Sequence, residues 1–436
     1  MFTKKSIIFH TKILLSILIF HFVLTTFLRY QLWTDMGISF LNNNLINLWK
    51  DIYLVFIYWL IIWYSVKNKT YKIIKNHPVF FLSIIILVLL SLILTWFNHP
   101  SLKQIIIWFK YDIWFLLPAF LYALVNFDSK DIKDFYKFFI KLIKVVIVFS
   151  LIFAFIRFTM PKFLFLIWYG PLWDWKPNTP PPMYFNTWIY WIQRLSGIFS
   201  GPNHMAFYFI AFWPFILLSI LFKKIHPIWG ILYLGLLIWT LSRSGLLALI
   251  WEVTLLTLYL FITQKHLRKK IIGLGIWLTT ILAIFIGYLF VSWKYHQVLL
   301  RWASTKGHFI KAKKTIQYIK QKPLIGHWIW TAGPAAHYIK SDIIPESWIL
   351  QIIYELGIVW WLTWFFVLWL ITYYLTKNKN NNILESKIIW IWLAIWIIWL
   401  IIQWIVLHSF EDAIVSLSLF IFIWIYLGWL FNTQLK

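Results

Sequence analysis

The sequence predicts an all-α integral membrane protein with about twelve transmembrane helices, both termini cytoplasmic, and a long external loop before the tenth span. Three observations carry that expectation. Of 436 residues, 62% are hydrophobic and 12% charged, and the mean hydropathy is +0.76; soluble domains carry roughly 25% charged residues. Apolar runs recur at about 18 residues or more, enough to cross a hydrocarbon core of ~30 Å as a helix. The Lys- and Arg-rich loops alternate along the chain, as the cytoplasmic loops of a multi-pass protein do. A water-soluble domain is thereby excluded. There is no cysteine, so disulfides, thiolate metal sites and cysteine nucleophiles are excluded too.

Taken in order, the expected spans are 7–28, 52–66, 79–97, 105–126, 140–160, 205–222, 227–242, 244–263, 271–293, 347–375, 388–407 and 412–432. The first run follows Lys4 and Lys5 and lacks a small-residue cleavage site, so it is expected to be retained as a span. The chain then divides into spans one to five (1–160), an external loop (161–204), spans six to nine (205–293), a long basic external loop (294–346) and spans ten to twelve (347–436). One set of alternate loops carries Lys4, Lys5 and Lys12; Lys67, Lys69, Lys72 and Lys75; Lys130, Lys133 and Lys137; Lys223 and Lys224; Lys265, Arg268, Lys269 and Lys270; and Lys377, Lys379 and Lys387. The positive-inside rule makes that set cytoplasmic.

The net charge is +26. Most of it belongs to those loops, but the 294–346 loop is basic as well, and long loops translocate regardless of charge. Two readings stand for it: a surface for an anionic partner such as lipid phosphate or pyrophosphate, or an amphipathic helix on lipid headgroups. Residues 308–320 suit the second, with Phe309, Ala312, Ile316 and Ile319 near helical spacing.

Charged groups near or inside spans are costly and mark candidate function. Arg243 lies in a tight Leu-Ser-Arg-Ser-Gly turn, and Arg194 stands just before a span. A guanidinium holds phosphate oxygens through a planar fork and keeps its charge. Arg301 is a third candidate. The alternative for each is a carboxylate partner or a helix C-terminus to cap. Lys110 and Asp112 read as a structural pair, and Glu252, deep in the eighth span, as a packing residue that must be protonated or paired. His337 and Glu346 are the candidate general bases on the external side; a surface histidine and an acidic first-turn residue after Pro345 are the plainer readings. There is no HExxH, Walker A loop or paired acidic metal motif, so no cofactor or metal is expected.

Four segments, in order, resemble the O-antigen ligase/polymerase superfamily of membrane glycosyltransferases. Arg194-Leu-Ser-Gly-Ile-Phe-Ser-Gly-Pro-Asn203 resembles its R-x-x-G-x-F-x-x-P-N signature, and Leu241-Ser-Arg-Ser-Gly245 its S-R turn. Arg301 followed by Gln321-Lys-Pro-Leu-Ile-Gly326 resembles its R…P-L-x-G-x-G segment, with Trp328 at the second glycine, and Glu346-Ser-Trp-Ile-Leu-Gln-Ile-Ile-Tyr-Glu-Leu-Gly357 its [HE]-[SN]-x-Y-L-Q-x-x-x-E-x-G motif. The resemblance covers about residues 185–370; the first five spans match in topology only. It implies transfer of a glycan from an undecaprenyl-pyrophosphate carrier to an acceptor hydroxyl on the external face of the bacterial inner membrane, inverting and metal-independent. It also implies pyrophosphate binding by Arg194, Arg243 and Arg301. The family's ligases place a histidine where this chain has Glu346, which leaves Glu346 and His337 both open as the base. Ligase, polymerase and protein O-oligosaccharyltransferase remain alternatives within the family. A lipid-linked glycan flippase and a structural membrane protein remain alternatives outside it; nucleic acid is not an expected partner.

The composition has one further anomaly. The chain has 33 Trp and 15 Gly. Membrane interfaces enrich Trp, but membrane helices are normally richer in Gly than soluble ones. Trp328, Trp330, Trp360, Trp361 and Trp191 stand where turns or close helix packing call for small residues. A codon meaning Gly in the source organism, UGA, translated as Trp gives this pattern, with overpacking expected at such sites. A Trp-rich interfacial protein is the alternative.

Overall fold

The computed structural model describes residues 3–21, 23–24, 45–97, 120–159, 184–187, 190–199, 201–263, 302–327, 347–377, 384–406 and 413–433, with isolated positions between 268 and 287. These residues are helical apart from one small hairpin and the turns and loops between elements. The helices are α1 (Lys4–Ile19), α2 (Leu45–Lys67), α3 (Ile73–Asn76), α4 (Pro78–Phe97), α5 (Ser129–Thr159), α6 (Pro202–Leu221), α7 (Pro227–Trp239), α8 (Arg243–Thr263), α9 (Trp302–Ile319), α10 (Trp348–Lys377), α11 (Leu384–Val406) and α12 (Ala413–Thr433). Among the described residues five helices are long and apolar enough to cross a membrane, or six if the pair 70–76 and 78–94, bent by 96°, is one span.

α11 is the hub. It packs on α5, α6, α8 and α10, while α10 also packs on α4 and α9. α6 is buried around nearly its whole circumference, as expected of a helix apolar on every face.

Three elements depart from the expected spans. α2 starts at Leu45, not at 52. α5 starts at Ser129, not near 140. Its first turns are amphipathic: Ile132, Phe135, Tyr136 and Phe139 are buried, while Lys133, Asp134 and Lys137 are not. Charge density hid a helix that continues into the apolar run. Within the 161–204 loop, Tyr184–Thr187 and Tyr190–Gln193 pair antiparallel, with Tyr184 opposite Gln193; aromatic and β-branched residues favour that pairing. Of the expected spans, 105–126 before Phe120 and most of 271–293 lie outside the described residues.

The alternate basic loops meet at one end of the bundle. Lys4 pairs with Asp128 (2.6 Å) and Asp131 (2.7 Å), Lys12 with Asp134, and Lys224 with Glu385 (2.8 Å). Asn432 donates to the Val125 carbonyl (3.2 Å), and His77 stacks on Phe431. The opposite end therefore holds the starts of α6, α8 and α10.

Asp128 is the N-cap of α5. Its carboxylate accepts from the backbone N–H of Lys130 (2.9 Å) and Asp131 (3.0 Å), and Asp131 returns a bond to the Asp128 N–H (2.9 Å). This is a reciprocal capping arrangement. Partial burial works against ionisation of Asp128, but the hydrogen bonds from Lys4 and the backbone prevail and hold its carboxyl below the ordinary value. A depressed carboxyl stabilises the fold fully above the unfolded value of about 3.9 and loses that contribution as pH falls through the lower folded value. Asp128→Ala is expected to lower the unfolding midpoint in detergent at pH 7, at a cost of about 1 kcal/mol. The gap from the parent should hold down to about pH 5 and close below about pH 4. A gap unchanged at pH 3 would show that the stabilisation does not depend on ionisation of the carboxyl.

Candidate functional site

At the end opposite the basic loops, Arg194 joins three elements. It follows the hairpin and is buried. Its Nε donates to the Thr240 carbonyl (2.7 Å) and a terminal nitrogen donates to Asn203 Oδ1 (2.8 Å). The Leu195 N–H adds a bond to the Trp239 carbonyl (3.2 Å). Thr240 closes α7, and Asn203 stands in the first turn of α6. One guanidinium thus ties the α7–α8 turn to the α6 start.

The spacing of the first motif follows from this geometry. Its first and last residues bond to each other. Gly197 turns the chain between them at φ +53°, and a Cβ there would press on Ser150 Oγ at 2.9 Å. Pro202 opens α6 after Gly201, a position where its missing N–H costs nothing.

The tied turn carries Arg243. Leu241 adopts φ +48°, a left-handed conformation disfavoured for a branched side chain. Thr240 Oγ1 bonds back to Leu237 O (2.7 Å), and Ser242 Oγ accepts from the Gly245 N–H (3.3 Å). Arg243 is the first residue of α8 and is half-buried. A helix N-terminus repels a cation and attracts an anion. Arg243 therefore sits where the helix dipole opposes its charge, and an anion bound there would meet both the guanidinium and the helix N–H groups.

Further along α8, Glu252 is fully buried. Neither carboxylate oxygen has a hydrogen-bond partner among the described residues. Of the two expected alternatives, protonated or paired, no pairing is found among the described residues.

The third and fourth motifs also meet. α10 is broken at Gly357, whose φ is +79°. The loop after α9 fills the break: the Ile358 N–H donates to Pro323 O (2.9 Å), and the His327 N–H to Tyr354 O (2.7 Å). The His327 ring stacks on Tyr354, and its Nε2 lies 2.6 Å from Tyr318 O. A Cβ on Gly326 would collide with the Glu355 carbonyl, and one on Gly357 with the Leu324 carbonyl. Both positions thus need glycine for close backbone approach as well as for positive φ. Beside the break, Ser347, Gln351 and Glu355 recur every fourth residue and are all buried, forming a polar stripe down one face of α10.

α9 extends the expected amphipathic stretch to Trp302–Ile319. Phe309 and Ile316 remain exposed, as the headgroup reading requires, while Thr315 is buried. Arg301, His337 and Glu346, and likewise Lys110 and Asp112, lie outside the described residues. The structure therefore joins Arg194 to the Arg243 turn, and the Gly326 loop to the α10 break. Sequence reasoning missed Asn203 and Thr240 as the partners of Arg194, the role of His327, and the stripe ending at Glu355. The fourfold spacing of Ser347, Gln351 and Glu355 was the readable signal for the last.

No protein-family model, curated protein or solved structure matches the chain.

Asn203→Ala removes an acceptor from a buried guanidinium. The expected cost is about 1–3 kcal/mol, seen as a lower unfolding midpoint in detergent. An unchanged midpoint would show that Asn203 does not brace Arg194.

Proposed function

We propose that the chain is a membrane glycosyltransferase of the O-antigen ligase/polymerase kind, taking a glycan from a polyprenyl-pyrophosphate carrier to an acceptor hydroxyl. The observation that carries this reading is the position of Arg243, the first residue of α8, on a turn that Arg194 braces at the end away from the basic loops. That placement suits a diphosphate, which is multiply charged and held best by a guanidinium fork with backbone N–H donors. In this reading Arg243 binds the carrier diphosphate and stabilises charge as it leaves. Arg194 holds the turn that carries it, and Arg301 supplies a further cation. Glu346, two residues before the start of α10 in the chain, takes the acceptor proton, with His337 as the alternative base. The acceptor oxygen attacks the anomeric carbon as the bond to the carrier diphosphate breaks, so the centre inverts. The reaction proceeds without metal or nucleotide. The full topology in this reading has twelve spans, cytoplasmic termini and a periplasmic site in the bacterial inner membrane.

A transport reading rests on one observation, the unpartnered carboxyl of Glu252 in the bundle interior, because intramembrane carboxyls recur in proton-coupled carriers. Purified protein in vesicles containing lipid-linked oligosaccharide separates the two. The enzyme releases carrier pyrophosphate and labels the acceptor; a flippase moves intact donor between leaflets and cleaves nothing.

In that assay Arg243→Lys keeps the charge and loses the fork. Transfer is expected to fall about 10²-fold, on ~3 kcal/mol for such an interaction. Near-parental turnover would remove the bidentate role. Glu346→Gln is expected to reduce transfer more than His337→Ala, with donor binding retained in both. The reverse order would make His337 the base.

A further inference from the structure

The tryptophans contradict the physics of a bundle interior. Nine are buried among the described residues: Trp213, Trp348, Trp360, Trp364, Trp390, Trp392, Trp396, Trp424 and Trp429. A buried indole N–H normally finds an acceptor, as the large majority of buried side-chain polar atoms do. Among the described residues the Nε1 of Trp213, Trp390, Trp396, Trp424 and Trp429 has no hydrogen-bond partner. Five of nine is far from that norm. Three of the five are not interfacial residues: Trp213, Trp396 and Trp424 lie close to the midpoints of α6, α11 and α12, where an aromatic belt does not reach.

Their spacing points to what belongs there. Trp360 and Trp364 on α10, and Trp392 and Trp396 on α11, are four residues apart on two helices that pack on each other. Trp424 stands four residues before Gly428, and Trp59 four before Trp63. Read with glycine, each pair becomes G-x-x-x-G, the pattern that lets membrane helices approach closely. Gly428 already behaves so, with a Cβ there meeting the Tyr122 carbonyl at 2.9 Å.

Coding bias argues the same way. The chain has 34 Lys and 6 Arg, and 40 Phe, a composition typical of A- and T-rich codons. The sole standard Trp codon, UGG, should then be rare. UGA differs by one base from both UGG and the glycine codon GGA. A glycine tRNA that reads UGA therefore explains the Trp excess and the Gly deficit together.

We infer that many of these tryptophans are glycine in the protein its own cells make, each encoded by UGA, and that the five unpartnered indoles at 213, 390, 396, 424 and 429 are among them. Trp360 qualifies the sequence expectation of overpacking: it is fully buried yet donates to Ser91 Oγ at 2.6 Å. Trp392 likewise donates to Ala211 O at 2.6 Å. The unpartnered set is therefore the sharper test. The inference does not rest on glycosyl transfer.

The experiment reads the coding DNA at those five positions and the peptide masses of the protein purified from its own cells. UGA codons with glycine masses at a majority of the five support the inference. UGG codons at a majority, or tryptophan masses opposite UGA, overturn it.

Discussion

A polar group set among apolar helices must find its partner inside the protein, because no water is there to take it. That requirement orders both halves of the bundle. The Arg194 guanidinium meets it by bonding to a turn carbonyl and an amide oxygen, and in doing so joins α6, α7 and α8. Broken α10 meets it by taking a loop into the break, so that Pro323 O receives the N–H freed at Ile358. In both places a sequence motif is the trace of a hydrogen-bonding problem solved between distant segments. The same requirement makes the five unpartnered indoles informative.

The charged groups obey a second constraint. At the basic end, cations pair with Asp128, Asp131, Asp134 and Glu385 across different helices. Such exposed pairs contribute little individually, but they bring the loops of one face together. At the other end Arg243 occupies a helix N-terminus, where the backbone field opposes it. An anion bound at that terminus would meet the guanidinium and the helix N–H groups together. The Arg194 brace matters for that reason, since it fixes the turn from which Arg243 projects.

Much of the helical order was readable because apolar length is a strong signal. α4, α6, α8 and α12 lie within a few residues of their expected limits. Tertiary detail was not readable. The start of α5 was hidden because its charged, amphipathic turns lack the continuous apolarity that marks a span. The break at Gly357 was invisible because a glycine in an apolar run says nothing until the Gly326 loop is placed against it. The partners of Arg194, Thr240 O and Asn203 Oδ1, were not readable because neutral acceptors leave no charge pattern in the sequence. The Trp excess was plain from composition, yet which residues strain the bundle required knowing which indoles are buried without an acceptor.

The central claim is that the Arg243 end of the bundle holds a lipid-linked diphosphate. The most direct test is the affinity of the reconstituted protein for a short-chain polyprenyl pyrophosphate, compared with its Arg243→Gln variant and with the corresponding polyprenyl alcohol. The account predicts that the variant binds the pyrophosphate at least about tenfold more weakly, a difference of ~1.4 kcal/mol, and that the parent discriminates against the alcohol by a similar margin. Equal affinity of parent and variant for the pyrophosphate, or of the parent for the two lipids, would contradict it.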